Sequence, residues 1–245
     1  MNDGSFKNYI FKLAADRPQG IALLACNQEG KTEKAYTYSQ LKDEITKTAS
    51  WLQHGLGLKK GDALGLMLPN SIELLLLSWS AWALGIVTVP LDMKRDTPQD
   101  FEYKLKLTNA KRTASKEDLK LLADFKASEK EIAWQNNISH PALVLFTSGT
   151  TARPKGVELS LENLLVNAEG IKEWFRITEQ DRFLVLLPLH HINSTTFSLA
   201  TLLAGASIAV PPGYSNSKVW QQLERTHRTF TSIVPTICFD QLSRV

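Results

Sequence analysis

The stretch Leu143-Val-Leu-Phe-Thr-Ser-Gly-Thr-Thr-Ala-Arg-Pro-Lys-Gly-Val157 determines how the rest of this chain is interpreted. Its apolar start predicts a buried strand, and hydroxyl residues on both sides of Gly149 follow directly. Amides in a glycine turn and short hydroxyl side chains suit a tetrahedral phosphate, and Lys155 supplies a positive charge. A plain surface turn is the alternative, because Ser, Thr, Gly and Pro are common in turns. The order of these residues after a strand favours a phosphate-binding loop.

The loop differs from a Walker A motif, which requires G-x-x-x-x-G-K-[ST]. Counting from Gly149, Pro154 precedes Lys155 where that motif has glycine, and Gly156 follows where it has a hydroxyl residue. The sequence therefore places no hydroxyl side chain beside the lysine to hold magnesium. It predicts a phosphate loop of another kind.

The segment from Thr147 to Gly156 resembles the phosphate loop T-S-G-T-T-G-x-P-K-G of the adenylate-forming family, the AMP-dependent acyl-CoA synthetases and their relatives. It departs from that pattern at Ala152, where the family usually has glycine. If that position needs a positive φ angle, alanine costs about 1 kcal/mol, which loosens the loop without abolishing it. The resemblance implies that the following residues hold the β- and γ-phosphates of ATP: Thr147, Ser148, Gly149, Thr150, Thr151 and Lys155.

A second motif, Leu187-Pro-Leu-His-His-Ile192, is similar to the P-L-F-H-x-x-G motif of the same family. In that alignment His190 replaces an aromatic residue, His191 takes the histidine position, and Ser194 stands where glycine is common. A histidine at the carboxyl end of a strand lies where open α/β sheets bind ligands. The resemblance implies that His191 helps to place the substrate carboxylate near the α-phosphate. The alternative is a pair of structural histidines in a buried turn.

Weaker matches to the family occur in the expected order along the chain. They are Tyr36–Leu41, Trp82–Asp92 and Thr231–Thr236, and they extend the resemblance from about Tyr36 onward. The last of them resembles the strand and turn that line the acyl pocket of the family. Three residues give that pocket a vague lining: Thr195, Phe197 and Thr236.

Strand and helix patterns alternate along the chain and predict an α/β fold, with open and mostly parallel sheets and helices on both faces. Ala63–Leu68, Ile72–Leu84 and Ile86–Val89 form a βαβ unit, and Asn70 is predicted to cap its helix. The other predicted strands are Ile21–Ala25 and Lys34–Tyr38, which form a hairpin, and Phe183–Leu187, Ser207–Val210 and Thr231–Val234. The other predicted helices are Phe6–Ala15, Ser39–Leu52, Gln99–Thr108, Lys116–Lys126, Leu161–Trp174 with Ser160 as its cap, Ile192–Ala204 and Lys218–Thr226.

The resemblance divides the chain into two packed α/β subregions, about residues 1–137 and 138–245, of the N-terminal part of an adenylation domain. The Y-G-x-T-E and T-G-D segments, with which the family holds adenine, magnesium and ribose, do not occur in this sequence. We therefore expect the C-terminal half of the family to be absent. We also expect little or no turnover by the isolated chain.

The resemblance implies an acid–thiol ligase of the kind found in fatty acid metabolism. Such an enzyme uses ATP and Mg²⁺ to convert a carboxylic acid to an acyl-adenylate, and then transfers the acyl group to CoA. Two alternatives stay open: an adenylating domain that feeds a carrier protein, and a non-catalytic remnant that binds a nucleotide or a partner. The sequence does not identify the acid.

Composition restricts the remaining classes of function. The net charge of +3 is small and the basic residues are scattered, so a nucleic-acid interface is not expected. The long uncharged stretches carry prolines and polar residues, so they predict buried structure and no transmembrane segment. Cys26 and Cys238 have neither metal-binding nor redox spacing, and we expect two free thiols, no metal site and a cytoplasmic protein. Self-association through an exposed core is expected if the second half is missing.

Overall fold

The computed structural model describes residues 5–128, 130–147 and 154–243. The chain divides into two units, each with its own five-stranded sheet. Unit 1 comprises Met1–Pro18, Ser39–Leu68 and Glu73–Leu164, and unit 2 comprises Gln19–Tyr38, Pro69–Ile72 and Leu165–Val245. Both units thus contain residues from before and after position 137. The predicted division of the chain into subregions near that position stays a prediction.

The elements of secondary structure alternate between strands and helices through most of the chain. The strands are β1 (Ile21–Cys26), β2 (Thr32–Thr37), β3 (Ala63–Leu66), β4 (Val87–Pro90), β5 (Ala110–Ala114), β6 (Pro141–Thr147), β7 (Lys155–Ser160), β8 (Arg182–Leu184), β9 (Ser207–Val210) and β10 (Phe230–Thr231). The helices are α1 (Phe6–Asp16), α2 (Tyr38–Ser50), α3 (Ile72–Ala83), α4 (Pro98–Leu107), α5 (Lys116–Asp124), α6 (Leu161–Trp174), α7 (Ile192–Leu203), α8 (Val219–Arg225) and α9 (Pro235–Leu242). A π-helical turn at Trp51–Gly55 follows α2.

The sheet of unit 1 has the strand order β5-β3-β4-β6-β7. Its first four strands are parallel to their neighbours, and β7 runs antiparallel to β6. The central strands are buried because βαβ connections cover a parallel sheet with helices. A buried relay of hydrogen bonds fixes the neighbouring strands: Trp82 Nε1 donates to Thr88 Oγ1 at 2.8 Å, and that hydroxyl donates to the Ala142 carbonyl at 3.1 Å.

The sheet of unit 2 has the strand order β10-β8-β9-β1-β2. Its first four strands are parallel, and β2 closes the edge as an antiparallel hairpin with β1. Strand β1 pairs with β9, with Leu23 opposite Ile208, so the sheet joins distant parts of the chain. Cys26 lies in the core beside Leu24 and Leu184 as a free cysteine, and this burial raises the pKa of its thiol.

The same turn leads from a helix to a strand in both units. Gly85 follows α3 with φ of 70°, and Gly205 follows α7 with φ of 69°. A left-handed residue directly after a helix ends it, and glycine adopts that conformation without a steric penalty. Gly205 directly follows the predicted helix Ile192–Ala204, and its left-handed conformation accounts for the end of that helix.

The predicted α/β class with mostly parallel sheets is confirmed, and the two antiparallel edge strands make both sheets mixed. The predicted Ser160 cap is also confirmed, because Ser160 Oγ accepts from the Asn163 amide at 3.1 Å. Strands β5 and β7 were not predicted. Both are edge strands with largely exposed residues, so neither has the apolar pattern by which a strand is recognised.

None of the helices in the described part of the chain combines the length and the apolar character that a membrane span requires.

Candidate functional site

The first candidate region is the end of the β6–β7 hairpin in unit 1. Strand β6 is buried at Leu143 and becomes exposed at Thr147, where the predicted loop begins. Thr147 lies directly opposite Lys155 in the antiparallel ladder, so the structure brings these two predicted phosphate-binding residues together. Both are exposed. The other predicted residues of the loop lie outside the described residues: Ser148, Gly149, Thr150 and Thr151.

Gly156 lets the two strands of this hairpin approach closely next to Lys155. It pairs with Phe146, and a Cβ atom added to it would lie 3.1 Å from Val144 Cγ1 and 3.4 Å from Cε1 of the Phe146 ring. Such distances are tighter than ordinary van der Waals contact, so any larger residue must displace a neighbour. The glycine of the Pro-Lys-Gly sequence therefore has a packing role in this hairpin.

Helix α4 contacts both strands at this end of the hairpin. Tyr103 Oη donates to the Pro154 carbonyl at 3.3 Å, one residue before Lys155. On the other strand, the Lys104 ammonium lies 5.2 Å from the centroid of the Phe146 ring, one residue before Thr147. Helix α4 was predicted from the sequence only as a helix. A tyrosine and a lysine in it do not form a motif, so only their contacts identify them.

The Lys104 side chain is buried and forms an ion pair with an equally buried carboxylate. Its Nζ lies 2.6 Å from both Oδ1 and Oδ2 of Asp96. Asp96 Oδ2 also accepts from the Asp92 amide at 3.0 Å, which fixes the carboxylate at the end of the turn after β4. A buried charge pair of this kind is costly to desolvate, and good geometry offsets that cost.

The second candidate region is the turn that carries His191 in unit 2. His191 is exposed and stands at the N-cap position of α7, with φ of −104° and ψ of 145°. Its amide donates to the Pro188 carbonyl at 3.1 Å, and its ring lies 4.4 Å from that of His190. The exposed ring is available to a ligand, which distinguishes His191 from the structural histidine His140. The His140 ring is buried, with its nitrogens 2.6 and 3.1 Å from main-chain carbonyls.

The turn before His191 is held by side chains that bind its main chain. Asn70 Nδ2 donates to the Leu187 carbonyl at 2.9 Å, and Asn70 Oδ1 accepts from the Leu189 amide at 2.8 Å. The Ser194 hydroxyl donates to the Leu187 carbonyl, and the Thr195 hydroxyl donates to the Leu189 carbonyl, each at 3.0 Å. This role of Asn70 as a clamp on the turn was not predicted from the sequence.

Helix α3 begins at Ile72, so Ser71 is the residue directly before it. The prediction that Asn70 caps this helix is therefore wrong. The sequence offered no sign of the true partners of Asn70, because they lie far along the chain. An asparagine is nevertheless suited to both arrangements, since its amide group donates and accepts.

The residues suggested for the acyl pocket have different contacts, and their role as a lining stays a prediction. The Phe197 ring packs in an aromatic cluster 5.7 Å from Phe183, while the hydroxyl of Thr195 is used within the turn. Thr236 is exposed on α9. An apolar cavity of about 450 Å³ lies in unit 2. It is lined by residues of α8 and α9, by Leu186, and by Thr231 and Ile233 of the segment that resembles the acyl-pocket strand of the family.

Large apolar side chains are exposed on these two helices of unit 2. Trp220 is 66% exposed on α8, and Phe239 and Leu242 are each 69% exposed on α9. Surface of this kind is what self-association requires, and self-association itself stays a prediction. Within the described ranges, no group of three or more His, Cys, Asp or Glu side chains is arranged to hold a metal ion.

The chain is similar to known proteins over almost its whole length. Residues 10–243 match the model of the family described as AMP-binding enzyme. Oxalate–CoA ligase of Arabidopsis thaliana is 28% identical over 82% of this chain and 45% of its own length. 2-Succinylbenzoate–CoA ligase of Bacillus pumilus is 26% identical over 97% of this chain and 50% of its own length. The chain thus spans about half the length of the curated relatives it matches.

Solved structures show the same fold. The o-succinylbenzoate CoA synthetase of Bacillus subtilis, in complex with its acyl-adenylate intermediate, has a TM-score of 0.84 and 25% identity, and the alignment covers 97% of this chain and 64% of that one. The same enzyme has been solved with ATP and a magnesium ion. The Mycobacterium tuberculosis fatty acyl CoA synthetase has a TM-score of 0.81 and 20% identity, covering 97% of this chain and 51% of that one.

Proposed function

We infer a function from one premise: the chain belongs to the family of AMP-binding enzymes. Its curated relatives are CoA ligases, so the proposed reaction is ATP-dependent activation of a carboxylic acid followed by thioester formation with CoA. In the first step a carboxylate oxygen bonds to the α-phosphorus of ATP while the bond to pyrophosphate breaks. In the second step a thiol displaces AMP from the acyl-adenylate.

One observation carries the proposal for this chain's own residues. Thr147 and Lys155 face each other at the end of the β6–β7 hairpin, and they lie near the two ends of the segment that matches the family's phosphate loop. The Lys155 ammonium supplies a positive charge at an exposed position, which fits a polyphosphate better than a buried lysine would. In the proposed site these residues, with Ser148, Gly149, Thr150 and Thr151, bind the β- and γ-phosphates.

His191 has a separate role in the proposal. It stands exposed at the start of α7, where the ends of parallel strands bind ligands in open α/β sheets. The proposed task of its imidazole is to orient the carboxylate of a small-molecule acid for attack. We name no residue of this chain as a magnesium ligand.

Bringing a carboxylate to a triphosphate opposes two anions, so charge neutralisation and alignment are the main contributions that the protein makes. The proposed contribution of Lys155 is to neutralise part of the triphosphate charge. CoA as the acceptor follows from the relatives' names, and a carrier protein is the alternative acceptor.

Calorimetric titration of ATP into the purified chain tests the phosphate-binding role of Lys155. The Lys155→Ala variant is expected to bind ATP about 10- to 100-fold more weakly, which is the usual effect of losing one charge-assisted contact. AMP affinity should change much less, because AMP lacks the β- and γ-phosphates. The matched control is Lys12→Ala, which removes an exposed lysine of α1 and should leave both affinities unchanged. Equal ATP affinity in wild type and Lys155→Ala would overturn the proposal.

A binding-only role is the second candidate, favoured by Ala152 in place of the usual glycine of the loop. Pyrophosphate release separates the two roles once ATP binding is measured. Binding without release in the presence of acid and CoA supports the second candidate. An Ala152→Gly variant that binds ATP more tightly than wild type would support the loosening assigned to alanine.

A further inference from the structure

We infer that helix α4 positions the two residues that frame the proposed phosphate loop, with Tyr103 acting on Lys155 and the Lys104–Asp96 pair acting on Thr147. This inference rests on the proposed function of that loop. This inference does not require Tyr103, Lys104 or Asp96 to touch the nucleotide, so these three are positioning residues.

The Tyr103 contact controls the direction of the main chain at Lys155. Its hydroxyl donates to the Pro154 carbonyl at 3.3 Å, and that carbonyl belongs to the peptide group whose nitrogen is Lys155. Because a peptide group is planar, fixing the carbonyl also fixes the plane that contains the Lys155 amide. Proline adds a restricted φ angle directly before this group. The Lys155 main chain is thereby fixed from the loop side by Tyr103, and from the strand side by its pairing with Thr147.

The Lys104 contact acts on the opposite strand. Its ammonium lies 5.2 Å from the centroid of the Phe146 ring, within the range of a cation–π interaction. The ring also limits the space at Gly156, the ladder partner of Phe146 and the neighbour of Lys155. Asp96 holds the ammonium with both carboxylate oxygens, so Lys104 has a fixed position over the ring.

Helix α4 also has anchors other than its contacts at the end of the hairpin. A capping box at its start joins Thr97 and Asp100, with the Asp100 amide 3.2 Å from Thr97 Oγ1 and the Thr97 amide 2.9 Å from Asp100 Oδ2. The apolar side of α4 packs Phe101 and Leu105 against the core of unit 1. Rigid elements hold functional geometry better than free loops do.

A purely structural role for these residues makes a different prediction from a positioning role. If α4 only stabilises unit 1, variants lower the melting temperature and leave the ligand affinity of the folded protein unchanged. If α4 positions Lys155 and Thr147, affinity for polyphosphate falls even where the protein is fully folded. The two readouts are therefore measured separately on each variant.

Tyr103→Phe is the main test, since it removes one hydroxyl and keeps the ring. We expect about fivefold weaker binding of ATP and of inorganic tripolyphosphate, the effect of one neutral hydrogen bond, at a temperature well below unfolding. Tyr38→Phe is the matched control, because it also removes a hydroxyl that donates to a main-chain carbonyl, that of Ala206 at 2.6 Å in unit 2. It should lower the melting temperature and leave both affinities unchanged.

A double-mutant cycle tests whether Tyr103 acts through Lys155. The fivefold effect of Tyr103→Phe should disappear when Lys155 is already alanine, because coupled residues are not additive. A neutral double variant, Asp96→Asn with Lys104→Met, tests the other strand without leaving a lone buried charge, and we expect about a three- to tenfold loss of tripolyphosphate affinity.

The outcomes separate this inference from the function on which it rests. If wild type binds neither ATP nor tripolyphosphate, the proposed function fails. If wild type binds and Lys155→Ala weakens binding, but Tyr103→Phe and the neutral double variant bind as wild type does, the function stands and the positioning role is overturned. An undiminished Tyr103→Phe effect in the Lys155→Ala background would also overturn it.

Discussion

The two candidate regions both stand at the end of a strand, yet they are supported by different interactions. At the hairpin of unit 1, Lys155 is exposed, and the nearby supports are a buried ion pair, an aromatic ring and a tyrosine hydroxyl. At the turn of unit 2, neutral side chains bind the main chain before His191. In the proposed site the Lys155 ammonium meets solvent and phosphate, so it stays exposed while its neighbours are fixed. A buried turn must first satisfy its own carbonyls and amides.

The largest expected effect tests the charged support in unit 1. Lys104→Met should destabilise the protein by about 3–5 kcal/mol, because it leaves the largely buried Asp96 carboxylate with no opposite charge and only the Asp92 amide as a donor. Urea unfolding measures this loss. The matched control is Lys111→Met, which removes a lysine from a more exposed ion pair with Asp62 and should cost less than about 1 kcal/mol. Equal losses in the two variants would show that burial does not distinguish these pairs.

The next effect tests the neutral support in unit 2. Asn70→Ala should cost about 2–3 kcal/mol, because the buried Leu189 amide loses its partner and the Leu187 carbonyl keeps only the Ser194 hydroxyl. Ser194→Ala removes one bond to a carbonyl that Asn70 still satisfies, so about 1 kcal/mol is expected. Denaturant titration measures which of the two variants loses more free energy of unfolding. A greater loss for Ser194→Ala would contradict the clamp assigned to Asn70.

A smaller effect is expected where the hairpin strands approach most closely. Gly156→Ala should destabilise by about 1–2 kcal/mol, since the new methyl group meets Val144 and the Phe146 ring. The proposed function adds a weaker affinity for ATP, because Lys155 is the next residue. Gly170→Ala is the control, as a Cβ atom there meets nothing within 4 Å in helix α6. It should be neutral or stabilising, and thermal unfolding with ATP titration tests both variants.

The smallest expected effects concern the loss of folding stability at acidic pH, to which one aspartate in each unit contributes. Burial by itself raises the pKa of Asp62, but its bonds to Lys111 and the Lys59 amide outweigh that and hold the pKa below its usual value. Burial by itself also raises the pKa of Asp181, but the hydrogen bonds from Thr178 and Thr229 outweigh that effect. The pKa of Asp181 is therefore lowered as well. Both carboxylates therefore add stability above their unfolded pKa, which is lost as the pH falls through the folded pKa.

The stability contributed by Asp62 and that contributed by Asp181 should differ in their dependence on salt. Half a molar sodium chloride should weaken the contribution of Asp62, because an ammonium supports it, and should leave that of Asp181 nearly intact, because neutral donors support it. Unfolding free energies of Asp62→Asn and Asp181→Asn between pH 6 and 3, at low and high salt, test this. The same salt response in both variants would remove the distinction.

Local sequence patterns predicted most elements of this fold. Apolar runs marked the central strands, and residues such as Ser160 and Gly205 marked helix ends through interactions with near neighbours. Strands β5 and β7 escaped prediction because a strand at a sheet edge can be polar on both sides. Their existence follows from pairing with β3 and β6, which is a property of the folded chain.

The candidate site could be predicted only in part for the same reason. Thr147, Lys155 and His191 belong to recognisable motifs, and the structure places the first two opposite each other. Asn70, Tyr103 and Lys104 belong to no motif, and each acts on residues distant in sequence. The roles assigned to Ser148, Gly149, Thr150 and Thr151 stay predictions.

The pairing of β1 with β9 affects the order in which this protein assembles on the ribosome. Leu23 emerges early, but its partner Ile208 is synthesised far later. At about 5–20 residues per second, the β1–β2 hairpin waits roughly 10–40 seconds for the strand that pairs with β1. A nascent chain released before β9 would carry an open strand edge on β1, the kind of surface that chaperones bind and that aggregates readily.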